Sequence, residues 1–361
     1  MKKYLLCLSL LALFCCARAS HPQATQADVP APTNLILITI DTWRYDAAGF
    51  LGHPVLKTPQ LDQLAAEGLV FDRSYAHAVV TQPSHASILT GLLPYEHGIR
   101  DNSGFRLAPN TPTLASLLKQ KGFKTGAFVS AFPLDARYGL NQGFDVYDDF
   151  VEGYKVEGAH VPERPGKATL EAAQSWYQSQ TGHSRFLWVH LYGPHFPYRP
   201  DAPFEQQYPQ NPYLGEVAQV DSELSSLFNM ARSEGNTIIV VTADHGEGLG
   251  DHGELTHGLF AYEATLRVPL VIWGPNWIQP GHQPKAVGHM DLLPTLSTLF
   301  HFKPPQVNGR NLLAPFSDTP LYFEALSAYY NRGWAPLRCC VAQGKKSIHL
   351  PIPERYDLEN D

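Results

Sequence analysis

Three groups of chemistry-bearing residues stand directly after short apolar, β-branched runs. Asp41 follows the run 35–40, His190 and then His195 close the run 186–191, and Asp244-His245-Gly246 follows the run 237–242. Runs of this kind suit strands buried on both faces of a parallel sheet. Ligands of open parallel sheets bind beyond the carboxyl ends of the strands, so the three groups are expected to meet at one rim. Asp41, Asp244 and His245 form a candidate divalent-metal site. Two carboxylates and an imidazole suit zinc or manganese, and added oxygen ligands would suit calcium or magnesium. Singly, each residue has a bland alternative, because an Asp after a strand is often only a helix cap. Their shared placement carries the metal reading.

The segment Val79-Val80-Thr81-Gln82-Pro83-Ser84-His85 supplies a nucleophile candidate. Pro83 is expected to start a helix through Ala86, Ile88 and Leu89 that ends near Gly91, which puts Thr81 just before a helix N-terminus. Free backbone N–H groups and the positive end of the dipole favour an anion there. A hydroxyl beside a metal can act as an alkoxide toward a phosphate or sulfate ester. The competing reading makes Thr81 a helix cap and nothing more.

Over nearly all of its mature length the chain resembles the sulfatase family of the alkaline-phosphatase superfamily. The resemblance rests on residues 40–46, Thr58-Pro59-Gln60-Leu61-Asp62, residues 81–97 and Asp244-His245-Gly246-Glu247; Pro83 to Gly91 followed by His97-Gly98 is its most specific part. It implies metal ligation by Asp41, Asp244, His245 and Thr81, with Thr81 also the nucleophile. It places His195, in Gly193-Pro194-His195, and His257, in His257-Gly258, as catalytic histidines on the substrate oxyanion. Arg44, His85, Arg100 and Asn102 are expected to line the substrate site. The family implies calcium. The chain departs from the family pattern in having Thr81 where Cys or Ser is matured to formylglycine, and His85 where Arg is usual, so formylglycine is not expected. Thr42 replaces a second N-terminal Asp, and Ala127-Phe128-Val129-Ser130 stands where a Lys-Trp-His segment is usual. With fewer hard oxygens, zinc or manganese becomes as suitable as calcium. His195 and His257 could instead hold a second metal, but Gly193 leaves that set without a carboxylate, and one ion is expected.

The reading is therefore a metal-dependent hydrolase of sulfuric or phosphoric esters, acting on a small molecule or a glycan. Phosphoryl transfer is the easier chemistry for Thr81, because a sulfated threonine lacks the hemiacetal collapse open to formylglycine. The rival readings are a phosphoethanolamine-type transferase and an inactive homologue that binds polyanions.

The elements that position these residues alternate strand and helix, which implies an α/β fold: a mostly parallel sheet sandwiched by helices. Helices are expected from Thr58-Pro59 to Gly68, over 113–121, 168–179, 213–231 and 291–300, with strands at 125–129, 186–191, 237–242 and 268–273. The stretches 194–212 and 274–284 read as surface loops, and the loops 148–165 and 196–212 are expected to shape specificity. The catalytic domain is expected over 34–319. A small antiparallel appendage follows over 320–361, with strand-like pieces at 321–323 and 347–350.

Lys2, Lys3, the apolar run 4–14 and Ala17-Arg18-Ala19 read as a signal peptide over 1–19, followed by a flexible tether over 20–33. The protein is thus expected to be exported, periplasmic or secreted. The run 13–16 loosely resembles a lipobox, which would make Cys16 a lipid anchor and is the alternative location. The remaining cysteines, Cys339 and Cys340, are adjacent, which disfavours a mutual disulfide. Both are expected to be packing residues of a late strand. A net charge of −7 argues against nucleic acid as a partner.

Overall fold

The structure, a computed structural model, describes residues 30–151 and 163–360. The signal-peptide segment and most of the tether lie outside the described residues, as does the middle of the 148–165 loop.

Strand β1 (Asn34–Ile40) is buried at all seven positions and forms the axis of the fold. On one side it pairs in parallel with a later strand, Arg185–Leu191, and on the other with Thr237–Ala243; Ile40 lies between Leu191 and Ala243. In chain order the larger sheet consists of β1, β2 (Leu69–Tyr75), β3 (Lys124–Phe128), β4 (Val146–Asp148), β5 (Arg185–Leu191), β6 (Thr237–Ala243), β7 (Arg267–Val268), β8 (Leu270–Trp273) and β9 (Gly281–Gly288). Its strands run in the order β4-β3-β5-β1-β6-β8-β2-β7, with β9 also paired to β2. From β4 to β6 every pairing is parallel; β8 then runs antiparallel to β6 and to β2, and β9 is parallel to β2.

Alternation along β1 divides the core. Ile36, Ile38 and Ile40 face the helices Pro59–Ala66, Gly166–Ser179, Pro212–Glu223 and Ser225–Glu234, through residues such as Leu61, Leu170, Val217 and Phe228. Leu35 and Leu37 face the helices Thr81–Thr90, Leu114–Gln120 and Leu292–Leu299, through Ile88, Leu118 and Leu296. The period of two gives each face its own helical layer.

Several local expectations change. The helix expected over 213–231 is two helices that break at Leu224. Leu224 keeps right-handed helical angles and is wholly buried, so the apolar period runs through the break. The strand expected over 268–273 is divided at Pro269, which lacks a backbone N–H for the ladder. The stretch 274–284 is not all loop, since β9 begins at Gly281; its exposed, Pro-containing start carries no apolar alternation to announce it. The 194–212 loop contains a short helix, Phe204–Gln207.

The last part of the chain is a four-stranded antiparallel sheet: β10 (Leu321–Ala325), β11 (Leu337–Ala342), β12 (Lys345–His349) and β13 (Glu354–Asp357). Phe323, Leu337, Val341 and Ile348 cluster with Tyr75, Val79, Leu93 and Met290 of the main body, and Ala78 bridges to Glu324. Cys339 is buried in that cluster, but Cys340 points outward from the same strand and is exposed, so only one of the pair is a packing residue. Neither forms a disulfide. Among the described residues no helix is long and apolar enough to cross a membrane.

Candidate metal centre and active site

The in-register ends of β5, β1 and β6 bring the three groups together. The Asp41 N–H donates to Leu191 O at 2.9 Å, which locks the step beyond β1 to the end of β5. Nε2 of His245 lies 3.4 Å from Asp244 Oδ2 and 3.8 Å from Asp41 Oδ1, and Nε2 of His190 lies 3.3 Å from Asp41 Oδ2. All four side chains are fully buried. Both Asp41 oxygens, Asp244 Oδ2, His245 Nε2 and His190 Nε2 have no hydrogen-bond partner among the described residues. Burying two carboxylates this way is costly unless a cation compensates them. The donor set therefore fits a divalent metal, with Asp41, Asp244 and His245 each offering one atom within 4.8 Å of the others.

The supporting contacts aim these atoms. Nδ1 of His245 donates to Gly246 O at 2.9 Å, leaving the Nε2 lone pair to face the carboxylates, as metal-ligating histidines do. Asp244 Oδ1 accepts from the backbone of His245 (2.8 Å) and Thr42 (3.3 Å), leaving Oδ2 free. A Cβ on Gly246 would lie 2.0 Å from Ala264 O, so only glycine permits this approach. Thr42 adopts φ 51°, a strained conformation for a β-branched residue. It is held there by its hydroxyl donating to Pro194 O and by Tyr213 OH donating to its carbonyl.

Thr81 is the first residue of its helix, Thr81–Thr90, rather than the residue before it, and extended Val80 is the cap. Thr81 is 2% exposed. Ser84 Oγ donates to Asp244 O, which pins this helix start to the end of β6. Asn102 Oδ1 accepts from the Gln82 N–H at 2.7 Å, so Asn102 caps the helix beside Thr81.

His195 and His257 face each other with ring centroids 5.1 Å apart, and His257 also lies 4.5 Å from the His245 ring. His257 Nδ1 is 2.9 Å from Glu247 Oε1, and Tyr198 OH donates to Glu247 Oε2 at 2.9 Å. Burial alone would lower the His257 pKa, but the Glu247 carboxylate outweighs it and pushes the ring up to about 9. Burial pulls His195 down to about 4; its Nδ1 donates to Phe196 O, and Tyr192 OH lies 3.2 Å from its Nε2. Glu254 accepts from the Leu259 and Phe260 N–H groups and so clamps the loop that presents His257.

Three of the four residues expected to line the substrate site are engaged elsewhere. The Arg44 guanidinium pairs with Asp46 and Asp251 and donates to Glu247 O and Gly248 O, so it fastens the loop after β6. His85 is wholly buried; its Nδ1 faces Thr81 O (2.8 Å) and its Nε2 faces Thr39 Oγ1 (2.9 Å). Burial lowers its pKa to about 3, so the ring is neutral and lies beneath the site. Arg100 is forked onto Glu324 and ties the main body to β10. Asn102 stays at the start of the Thr81 helix, as a cap.

The sulfatase family model matches residues 33–302, three quarters of the chain. The chain belongs to the sulfatase family. As a sulfatase-family ester hydrolase it is 26% identical to mouse N-acetylgalactosamine-6-sulfatase, over 82% of this chain and 69% of that protein. It is 26% identical to the Bacteroides thetaiotaomicron Delta 4,5-hexuronate-2-O-sulfatase, over 78% of this chain and 71% of that one. Among solved structures, the Agrobacterium radiobacter phosphonate monoester hydrolase superposes with a TM-score of 0.74 at 19% identity, covering 91% of this chain and 90% of that one. BT4656 bound to D-glucosamine-2-N,6-O-disulfate gives 0.77 at 21% identity, covering 92% of each chain. These two share the sulfatase fold seen here.

Sequence reasoning assigned no role to Glu247, although it read the residue as part of a matching segment, and passed over Tyr192 and Tyr198 altogether. Glu247 becomes visible only when the 247–257 loop folds back and sets its carboxylate against His257.

Proposed function

We propose that this sulfatase-family chain is a metal-dependent hydrolase of sulfuric or phosphoric esters in which Thr81 is the nucleophile. The observation that carries the reading is the convergence of four buried, unpartnered ligand atoms from Asp41, Asp244 and His245 at the strand ends, with His190 Nε2 against them, beside the start of the Thr81 helix. Asp41, Asp244 and His245, with the Thr81 hydroxyl, would hold one divalent cation. When bound, that cation supplies a Lewis acid that acidifies the hydroxyl and offsets charge on the ester oxygens. Zinc or manganese suits this nitrogen-containing set at least as well as calcium.

Thr81 Oγ, its proton released to solvent, attacks the phosphorus or sulfur in line; its new bond forms as the bond to the alcohol oxygen breaks. His257, held cationic by Glu247, donates its Nε2 proton to that oxygen as it leaves. His195, neutral, takes a proton from the water that attacks the Thr81 ester, and Thr81 departs as the alkoxide to regain its proton. A phosphoryl group suits this route better than a sulfuryl group, because Thr81 offers no second hydroxyl through which a sulfated intermediate could collapse. The sulfatases of sulfated sugars among the relatives support a glycan or small-molecule ester as substrate. The positively charged, apolar N-terminal segment supports export to the periplasm or medium.

The test is a panel of aryl sulfate, aryl phosphate monoester and phosphodiester substrates, run with and without acceptor alcohols, on the wild type and Thr81→Ala. Water-dependent release by the wild type, lost at least ~10³-fold in Thr81→Ala with metal content unchanged, is expected for a covalent nucleophile. Release that needs an acceptor would make it a transferase, and full activity in Thr81→Ala would remove Thr81 from the chemistry.

A further inference from the structure

Three fully buried histidines, His85, His190 and His245, surround Asp41 and Asp244, and by distance alone His85, His190 and Asp244 could form a second cation-binding set. Their hydrogen-bond partners separate them, because a neutral imidazole has one N–H and one lone pair, and the neighbour of each nitrogen decides which is which. At His245, Nδ1 faces a carbonyl, so Nδ1 carries the proton and Nε2 presents a lone pair. At His85, Nδ1 also faces a carbonyl, and Nε2 receives the hydroxyl of Thr39. That hydroxyl is free to donate, because Thr39 Oγ1 itself accepts from Trp188 Nε1. His85 is thus saturated and has no lone pair left for a metal.

His190 is the reverse case. Its Nδ1 faces the backbone N–H of Ser130 at 3.4 Å, a donor that cannot be turned into an acceptor. The contact is held by two further bonds at the same place: Ser130 Oγ donates to His190 O at 2.7 Å, and Ser130 Oγ pairs with Thr169 Oγ1 at 2.8 Å. Nδ1 must therefore offer its lone pair, and the proton of the neutral ring sits on Nε2, which lies 3.3 Å from Asp41 Oδ2, close enough for a charge–dipole contact though outside hydrogen-bond geometry. A lone pair on Nε2 for a metal would require an Nδ1–H pressed against the Ser130 N–H.

We infer that His190 is a positioning residue, not a ligand: in its Nε2–H form it holds Asp41 Oδ2 and leaves Oδ1, on the His245 side, as the oxygen Asp41 presents to the cation. The inference rests on the metal centre proposed above. It extends that centre to a contact through which the end of β3, by way of Ser130, sets the geometry of a carboxylate at the end of β1, two strands away. Such outer contacts are worth about 10–100-fold in metal affinity.

The experiment titrates apo-protein with Co(II), reading affinity by competition with a chelator, stoichiometry by metal analysis, and the visible d–d spectrum. His190→Gln places an amide N–H within the reach of Nε2; His190→Met has similar bulk and no donor. His190→Met is expected to bind one Co(II) about 10–100-fold more weakly than wild type. His190→Gln is expected to bind within a few-fold of wild type, with an unchanged d–d band. The inference is overturned if His190→Gln shifts the d–d band, which would make His190 a ligand. It is equally overturned if His190→Gln weakens binding as much as His190→Met, or if His190→Met binds like wild type. Asp41→Asn and His245→Ala distinguish the underlying reading: if these bind Co(II) like wild type, or wild type binds none, the metal centre itself fails.

Discussion

Glu247 and His257, ten residues apart in sequence, form a buried pair with the ring Nδ1 2.9 Å from the carboxylate Oε1. The carboxylate is fully buried, and its other oxygen takes the Tyr198 hydroxyl. The pair leaves Nε2 of His257 as the group that can give a proton to a leaving alcohol. His195, across a 5.1 Å ring separation, is held neutral. Two titratable groups with pKa values pushed in opposite directions are the arrangement that divides acid from base in a single site.

The first prediction follows from that pair. His257 is cationic below about pH 9, so its donor function is present at neutral pH and fades as pH rises through that value. Glu247→Gln removes the largest charge holding the His257 pKa up, and the pKa falls. The alkaline limb of the kcat profile should move down by more than one pH unit, and kcat at pH 8 should fall by about 10²-fold for a poor leaving group. An activated p-nitrophenyl ester, which needs little protonation, should lose far less. Equal losses for both leaving groups would show that His257 is not the acid.

Arg44 supplies the second. Its side chain is 10% exposed and spans Asp46, Asp251 and the carbonyls of Glu247 and Gly248. Arg44→Ala strips donors from two buried carbonyls and should cost about 2–4 kcal/mol in urea denaturation. It should lower kcat as well, because the Glu247 backbone is one of the groups released. A substrate-binding arginine would instead raise KM and leave the denaturation midpoint in place.

Glu216 supplies the third. Burial raises its pKa to about 9, one oxygen accepts from the Arg199 N–H at 2.6 Å, and Oε2 has no partner among the described residues, as suits a protonated acid. Its folded pKa lies above its unfolded value. Its contribution to stability is therefore fully present below about pH 4.3 and is lost as pH rises through about 9. Glu216→Gln, which cannot ionise, should flatten the fall in thermal midpoint between pH 6 and pH 9.5. A variant that loses stability over that range as steeply as wild type would show that Glu216 is already ionised at neutral pH.

Much of the site could be read in the chain because parallel-sheet strands announce themselves locally. The runs before Asp41 and Asp244 are buried at every position, and a strand buried on both faces has to be largely apolar. The residue after such a strand is at the ligand-binding rim by topology alone. β9 could not be read this way, because its largely exposed first five residues carry His282, Gln283 and Lys285, and it depends on β2 for its pairing.

Residue type and spacing pointed to the α/β architecture and to a shared rim for Asp41, Asp244 and His245, because these depend on short-range periodicity and on where a chain leaves a strand; the family was legible as a resemblance carried by residues 81–97 and their companion segments. Only the tertiary structure decided what each polar side chain faces. It turned Arg44 and Arg100 into fasteners, sealed the His85 ring between its own helix and Thr39 of β1, set Glu247 against His257, and brought Nε2 of His190 to 3.3 Å from Asp41 Oδ2. A side chain's role is set by its hydrogen-bond partners, and those come from segments dozens to hundreds of residues away, which no local pattern can place.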